Sequence, residues 1–145
     1  MDQVLYQTQS GHTERVARAM AEVLGAPVQN VKDVSQPVEA GRLFLGGGIY
    51  AGKPNQELLE KLPLITPERV GQVILFSTSL VGVDPLPTIR RLLEEKGVPV
   101  EKRYFSCKGQ FLFVSRGHPD AADLEAARAF ARSFLPEAAK GADTL

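Results

Sequence analysis

The sequence predicts an α/β domain built on a doubly wound, five-stranded parallel sheet, and three observations carry that prediction. Short apolar runs alternate with stretches of helical periodicity along the chain. The most hydrophobic run, Val73-Ile74-Leu75-Phe76, is apolar at every position, as a strand covered on both faces must be. The connections are short enough to be right-handed crossovers, which put helices on both faces of the sheet. At 145 residues a single domain with one hydrophobic core is expected.

The first strand, Val4-Leu5-Tyr6, ends in the polar segment Thr8-Gln9-Ser10-Gly11-His12-Thr13, after which the period becomes helical. Val16, Met20, Val23 and Leu24 recur three and four residues apart, with Glu14, Arg15, Arg18 and Glu22 mostly elsewhere around the helix. Gly25 supplies the stop. Residues 27–31 make a weak second strand, and Leu43-Phe44-Leu45 a stronger third that runs into Gly46-Gly47-Gly48. Pro54 suits the first turn of a second helix whose apolar face is Leu58, Leu59 and Leu62.

Strand four, residues 73–76, runs into Ser77-Thr78-Ser79, and a helix over about 86–96 turns Ile89, Leu92 and Leu93 inward. A fifth strand is expected over about 98–106, followed by Cys107-Lys108-Gly109 and a less regular extended segment at 111–114. The last helix starts near Pro119 and buries Leu124, Ala127, Ala131, Phe134 and Leu135, with Asp120, Asp123 and Glu125 near its positive end. The domain is drawn at residues 1–136, with 137–145 as a frayed tail.

Composition narrows the function classes. With 17 Lys plus Arg against 17 Asp plus Glu, no bulk charge draws the chain to nucleic acid or an anionic membrane. No apolar run approaches the roughly 20 residues of a membrane span, no leader pattern opens the chain, and Cys107 has no second cysteine to pair with. A reducing, cytoplasmic setting is the expectation.

Sheets of this class bind ligands at the carboxyl ends of their strands, where three loops are rich in glycine or hydroxyls: residues 8–13, 46–52 and 77–82. A phosphate needs several inward donors, and a tight loop feeding a helix N-terminus supplies backbone N–H groups and the positive end of the helix dipole. Thr8, Ser10 and Thr13 add hydroxyls, Gly11 removes a side chain that would block approach, and His12 and Arg15 offer charge. The alternative is that Ser10 or Thr13 simply caps the helix. The loop has neither the Gly-Lys-Ser/Thr ending of a triphosphate loop nor the G-x-G-x-x-G of a dinucleotide site.

Thr8-Gln9-Ser10-Gly11-His12-Thr13 resembles the [ST]-x-[ST]-G-x-T phosphate loop of the flavodoxin family, directly after the first strand. Leu45-Gly46-Gly47-Gly48-Ile49-Tyr50-Ala51-Gly52-Lys53 is similar to the second flavin loop, particularly that of flavodoxin-type protoporphyrinogen oxidases, and Gly117-His118-Pro119-Asp120 also resembles these proteins. The resemblance covers nearly the whole chain. It implies a flavodoxin-like strand order of 2-1-3-4-5, which makes the three loops neighbours, and flavin mononucleotide (FMN) as cofactor. Thr8, Gln9, Ser10, Gly11, His12 and Thr13 would then hold the phosphate. Gly47, Gly48, Ile49 and Tyr50 would line the ring, with Tyr50 stacked on it, and Ser77, Thr78, Ser79 and Gly82 would face its polar edge. Reduction in the family flips a peptide near the ring, for which Gly47, Gly48 and Gly52 are suited. The third loop lacks the second stacking aromatic of many flavodoxins; Leu80 or Val81 would cover that face.

The implied function is electron transfer through bound FMN, with a redox protein or a small-molecule donor or acceptor as partner. Two alternatives stand: a flavodoxin-type oxidoreductase with its own substrate, which the balanced charge favours over a pure carrier, and a flavin-free interaction domain. A phosphoacceptor receiver needs acidic residues where Gln7-Thr8 stand and an aspartate at Gly46. Cys107 reads as a structural thiol and His118 as part of a helix start, so no side chain is assigned to catalysis or to a metal.

Overall fold

A computed structural model of the chain describes residues 1–8, 11–47, 49–50, 53–54, 56–78, 86–107 and 121–136. Five parallel strands form the central sheet: β1 (Asp2–Tyr6), β2 (Val28–Asn30), β3 (Ala40–Gly47), β6 (Val70–Ser77) and β7 (Val100–Ser106). The short strands β4 (Ile49–Tyr50) and β5 (Lys53–Pro54) pair antiparallel beside it. Sheet order is β2-β1-β3-β6-β7, the expected 2-1-3-4-5 once β6 and β7 are counted as its fourth and fifth strands.

Alternation along the strands feeds two cores. Val4, Phe44, Ile74 and Phe76 face α1 (His12–Leu24) and α4 (Ala121–Arg132). Leu5, Leu43, Leu45, Val73 and Leu75 face α2 (Gln56–Lys61) and α3 (Pro87–Glu95). β3 and β6 are central, and their apolar residues from 43 to 45 and from 73 to 76 are fully buried, as a doubly covered strand requires. α1 ends where Gly25 takes φ 62°, α3 where Gly97 takes φ 89°. After α3, Val98 N–H bonds the Leu93 carbonyl, and both side chains are buried together.

Between β2 and β3, where the sequence singles out no element, residues 31–39 hold a single 3₁₀ turn, Val31–Asp33, capped by the Asn30 side chain. The Val31, Val34 and Val38 side chains cover that part of the sheet. Several expectations are corrected. Pro54 belongs to β5, opposite Ile49, rather than to a helix, and α2 starts at Gln56. Leu62 lies past α2, in a 3₁₀ turn (Leu62–Leu64), because Pro63 has no N–H and disfavours α backbone at the residue before it. Leu62 is still buried. Strand four extends to Val70–Ser77, and the fifth starts at Val100, after Pro99. In α4, Ala127 and Ala131 are buried and Leu124 is half-buried, while Phe134 and Leu135, both half-buried, lie beyond the helix. Phe134 meets Phe44 edge to face at 5.4 Å.

One ion pair fixes the sheet's register at its amino edge. Arg42, opposite Asp2 across β1 and β3, makes a two-pronged contact with that carboxylate, 2.8 Å on each prong, and donates to the Phe134 carbonyl beyond α4. Two strands and a helix end are thus tied through one guanidinium, whose fork matches the carboxylate.

Candidate functional site at the carboxyl edge

The strand order brings the ends of β1, β3 and β6 side by side, so the segments after them share one edge. Two adjacent rungs close that edge. Tyr6, Gly46, Phe76 and Phe105 are successive register partners on β1, β3, β6 and β7, on the α1 and α4 face. One residue later, Gly47, Ser77 and Ser106 are partners, and Gln7 follows Tyr6 into the same rung. Side chains alternate along a strand, so this second rung faces α2 and α3.

The first rung is a closed aromatic layer. Phe76 lies directly over Gly46: a Cβ there would be 2.1 Å from the Phe76 ring. Gly46 is therefore a seat for a core phenyl ring.

On the same face, the segment entering α1 is shaped for an anion. Gly11 takes φ 87°, and its N–H donates to Thr8 Oγ1 at 2.8 Å, closing the turn. Arg15 N–H bonds the Gly11 carbonyl, the first helical bond. The cap position is Gly11 rather than Thr13. Helix geometry aims the first-turn N–H groups back at this loop. Glu14 brings a negative charge to that end, and Arg18, one turn on, pairs with it at 2.8 Å and offsets it. Tyr6 lies under this pair; burial first, then the Glu14 charge, holds its phenol above its ordinary pKa.

Thr13 and Thr78 are both buried, and their hydroxyls are hydrogen-bonded to each other at 2.9 Å. This bond joins the start of α1 to the end of β6, across a sequence gap of 65 residues. Two residues expected at opposite ends of a flavin are thereby locked together.

The second rung is different. Gln7 is fully buried, its N–H completes the ladder to the Gly46 carbonyl at 2.9 Å, and neither Oε1 nor Nε2 has a hydrogen-bond partner among the described residues. Gly47 lies beside it: a Cβ there would be in ordinary contact with Gln7 Oε1 at 3.6 Å and tighter, at 3.3 Å, against Leu58. Ser77 is fully buried beside it, and the Ser106 hydroxyl is shielded without a partner among the described residues. A buried donor or acceptor left unpaired costs about 1–3 kcal/mol, so this rung holds stored polar demand.

Of the expected site residues, Thr8, Gly11, His12 and Thr13 cluster at the start of α1, while Gly47, Ser77 and Thr78 end the neighbouring central strands. Gly47 has ordinary strand backbone, without the positive φ that a flipping peptide would use, because its pairing with Ser77 extends the ladder to this point. Ile49 and Tyr50 form β4. Gln9, Ser10, Gly48, Ala51, Gly52, Ser79, Leu80, Val81, Gly82, His118 and the 111–114 segment lie outside the described residues. Cys107 is buried, as a structural thiol should be, and its N–H bonds the Ser77 carbonyl. Gln7 was missed. The available signal was its place two residues after Leu5, on the buried phase of β1.

No family model matches the sequence. An uncharacterized protein of Methanocaldococcus jannaschii is 27% identical over 139 residues, which cover 86% of this chain and 90% of that protein. Among solved structures, a flavodoxin from the domain Archaea superposes with a TM-score of 0.71 at 16% identity, over 97% of this chain and 99% of that one. This chain has a flavodoxin-like fold. An oxidised flavodoxin from Bacillus cereus matches the same flavodoxin-like frame with a TM-score of 0.64 at 18% identity, over 91% of this chain and 97% of that one. A flavodiiron core from Synechocystis reaches 0.70 at 12% identity; 98% of this chain is covered, but only 36% of that longer one. Among the described residues, no helix of this flavodoxin-like chain is long and apolar enough to cross a membrane.

Proposed function

We propose that this chain is a cytoplasmic FMN-binding redox protein that passes electrons through the bound flavin to a partner protein or a small molecule. The observation that carries the reading is the convergence of the β1, β3 and β6 ends at one edge, with Thr13 and Thr78 bonded across it. The residues suit the group. Gly11 in left-handed backbone and the first turn of α1 offer N–H donors to a phosphate, and Thr8, Gln9, Ser10, His12 and Thr13 complete that end. Gly47, Gly48, Ile49 and Tyr50 would line the ring, and Ser77, Thr78, Ser79 and Gly82 would face its polar edge.

When bound, the flavin supplies the redox chemistry; the chain's part is to bind and orient it. The Glu14–Arg18 pair keeps the helix end from repelling a phosphate dianion. The Thr13–Thr78 bond sets the distance between the phosphate end and the β6 end, so that the ligand meets a rigid seat.

The test is the visible spectrum of the protein purified without added cofactor, followed by FMN titration. A flavin spectrum, or saturable quenching of FMN fluorescence, is expected; a colourless protein indifferent to excess FMN overturns the reading in favour of a flavin-free domain. A second reading, an oxidoreductase with its own substrate, is favoured by the equal numbers of acidic and basic residues, which give a docking partner no net field. Reduction by NAD(P)H without a partner protein would select it.

A further inference from the structure

The Gln7 carboxamide has no part in the phosphate end of the site, yet it is fully buried at the same strand end with both polar atoms unpaired among the described residues. A buried primary amide needs both a donor and an acceptor, and a single ligand edge that presents the two side by side meets both needs at once. Hydroxyls and phosphates do not match that pattern as a lactam or imide does, with C=O and N–H side by side. Thr8 and Gln7 are consecutive residues on opposite phases of the chain leaving β1, so one ligand extended across this strand end can be held at both. Gly47 keeps the ground beside the amide clear of a side chain, and Ser77 and Ser106 continue the polar rung away from it.

We propose that Gln7 is the ring-side anchor of the ligand whose phosphate lies at residues 8–13, its carboxamide pairing with the N3–H and a flanking carbonyl of the flavin pyrimidine ring. The assignment rests on the FMN reading above. It makes Gln7 a specificity residue that selects rings with an imide edge.

The experiment compares FMN with N3-methyl-FMN on the wild-type chain and on Gln7→Leu, by fluorescence titration, together with thermal melts of both proteins without ligand. Wild type should bind N3-methyl-FMN about tenfold more weakly than FMN, the worth of one well-made hydrogen bond. Gln7→Leu should lose about the same factor for FMN and no longer tell the two flavins apart. Its ligand-free melting temperature should rise, because an unsatisfied amide has gone. Wild type that binds neither flavin overturns the FMN reading and this assignment together. Wild type that binds both equally, or a Gln7→Leu chain weakened yet still discriminating, overturns the Gln7 assignment alone. The wild-type comparison decides the matter by itself should Gln7→Leu not fold.

Discussion

The two last rungs of the sheet use the same four strands, one residue apart, and are built on opposite rules. Tyr6, Gly46, Phe76 and Phe105 form a layer in which a glycine is filled by the neighbouring ring. Gln7, Gly47, Ser77 and Ser106 form a layer in which a glycine lies beside a buried amide, and the Gln7 carboxamide and Ser106 hydroxyl go unpaired among the described residues. Stability is therefore concentrated in the rung that faces α1 and α4, whereas demand for a partner is concentrated in the rung that faces α2 and α3. A fold can close its core and leave its edge open within the span of a single residue.

The largest expected effect tests that contrast directly. Gly46→Ala places a methyl 2.1–2.4 Å from three ring carbons of fully buried Phe76, so the ring must move within a packed core. A loss of about 3 kcal/mol in urea unfolding is expected. Gly47→Ala meets Leu58 at 3.3 Å and the Gln7 amide at 3.6 Å, both ends of adaptable side chains. It should cost about 1 kcal/mol or less. Equal losses would mean that the two rungs are packed alike.

The hydroxyl pair on the α1 face is the next discriminator. Thr13→Val and Thr78→Val each leave one buried hydroxyl without its partner, at a cost of about 1–2 kcal/mol. The double variant should cost less than the sum by about 1 kcal/mol, since both polar groups leave together. Strict additivity in the double-mutant cycle would show that the bond does not join α1 to β6.

Much of this was legible in the chain. The continuous apolar runs of β3 and β6, the helical spacing of Val16 and Met20, and the stop at Gly25 are local features that tertiary packing reinforces. The strand order followed from resemblance rather than periodicity, and the topology agrees with it. The cover between β2 and β3 was not legible, because valines at 31, 34 and 38 can sit on a helix or line an irregular segment equally well. Pro54 was misplaced because a proline at a helix start and one in an edge strand look the same in sequence. At the site, the glycine-hydroxyl loop before α1 is visible as a pattern, but the Thr13–Thr78 bond spans strands and only the fold shows it. Gln7 hid in plain view, one polar residue after an apolar strand.

The smallest expected effect separates the rungs by titration. The Gln7, Gly47, Ser77 and Ser106 rung contains no titratable group, whereas the aromatic rung contains Tyr6, whose phenol is held above its ordinary value of 10.0 mainly by burial and then by the Glu14 charge. A raised pKa means that the folded state binds this proton more tightly than the unfolded chain does. The stability it contributes is full below 10.0 and is lost as pH rises through the folded-state value. Urea midpoints measured from neutral pH into that alkaline range should therefore fall. In Tyr6→Phe the Tyr6 share of the fall should vanish. An alkaline limb of the same depth in wild type and Tyr6→Phe would place the titrating group elsewhere and leave the aromatic rung without a part in it.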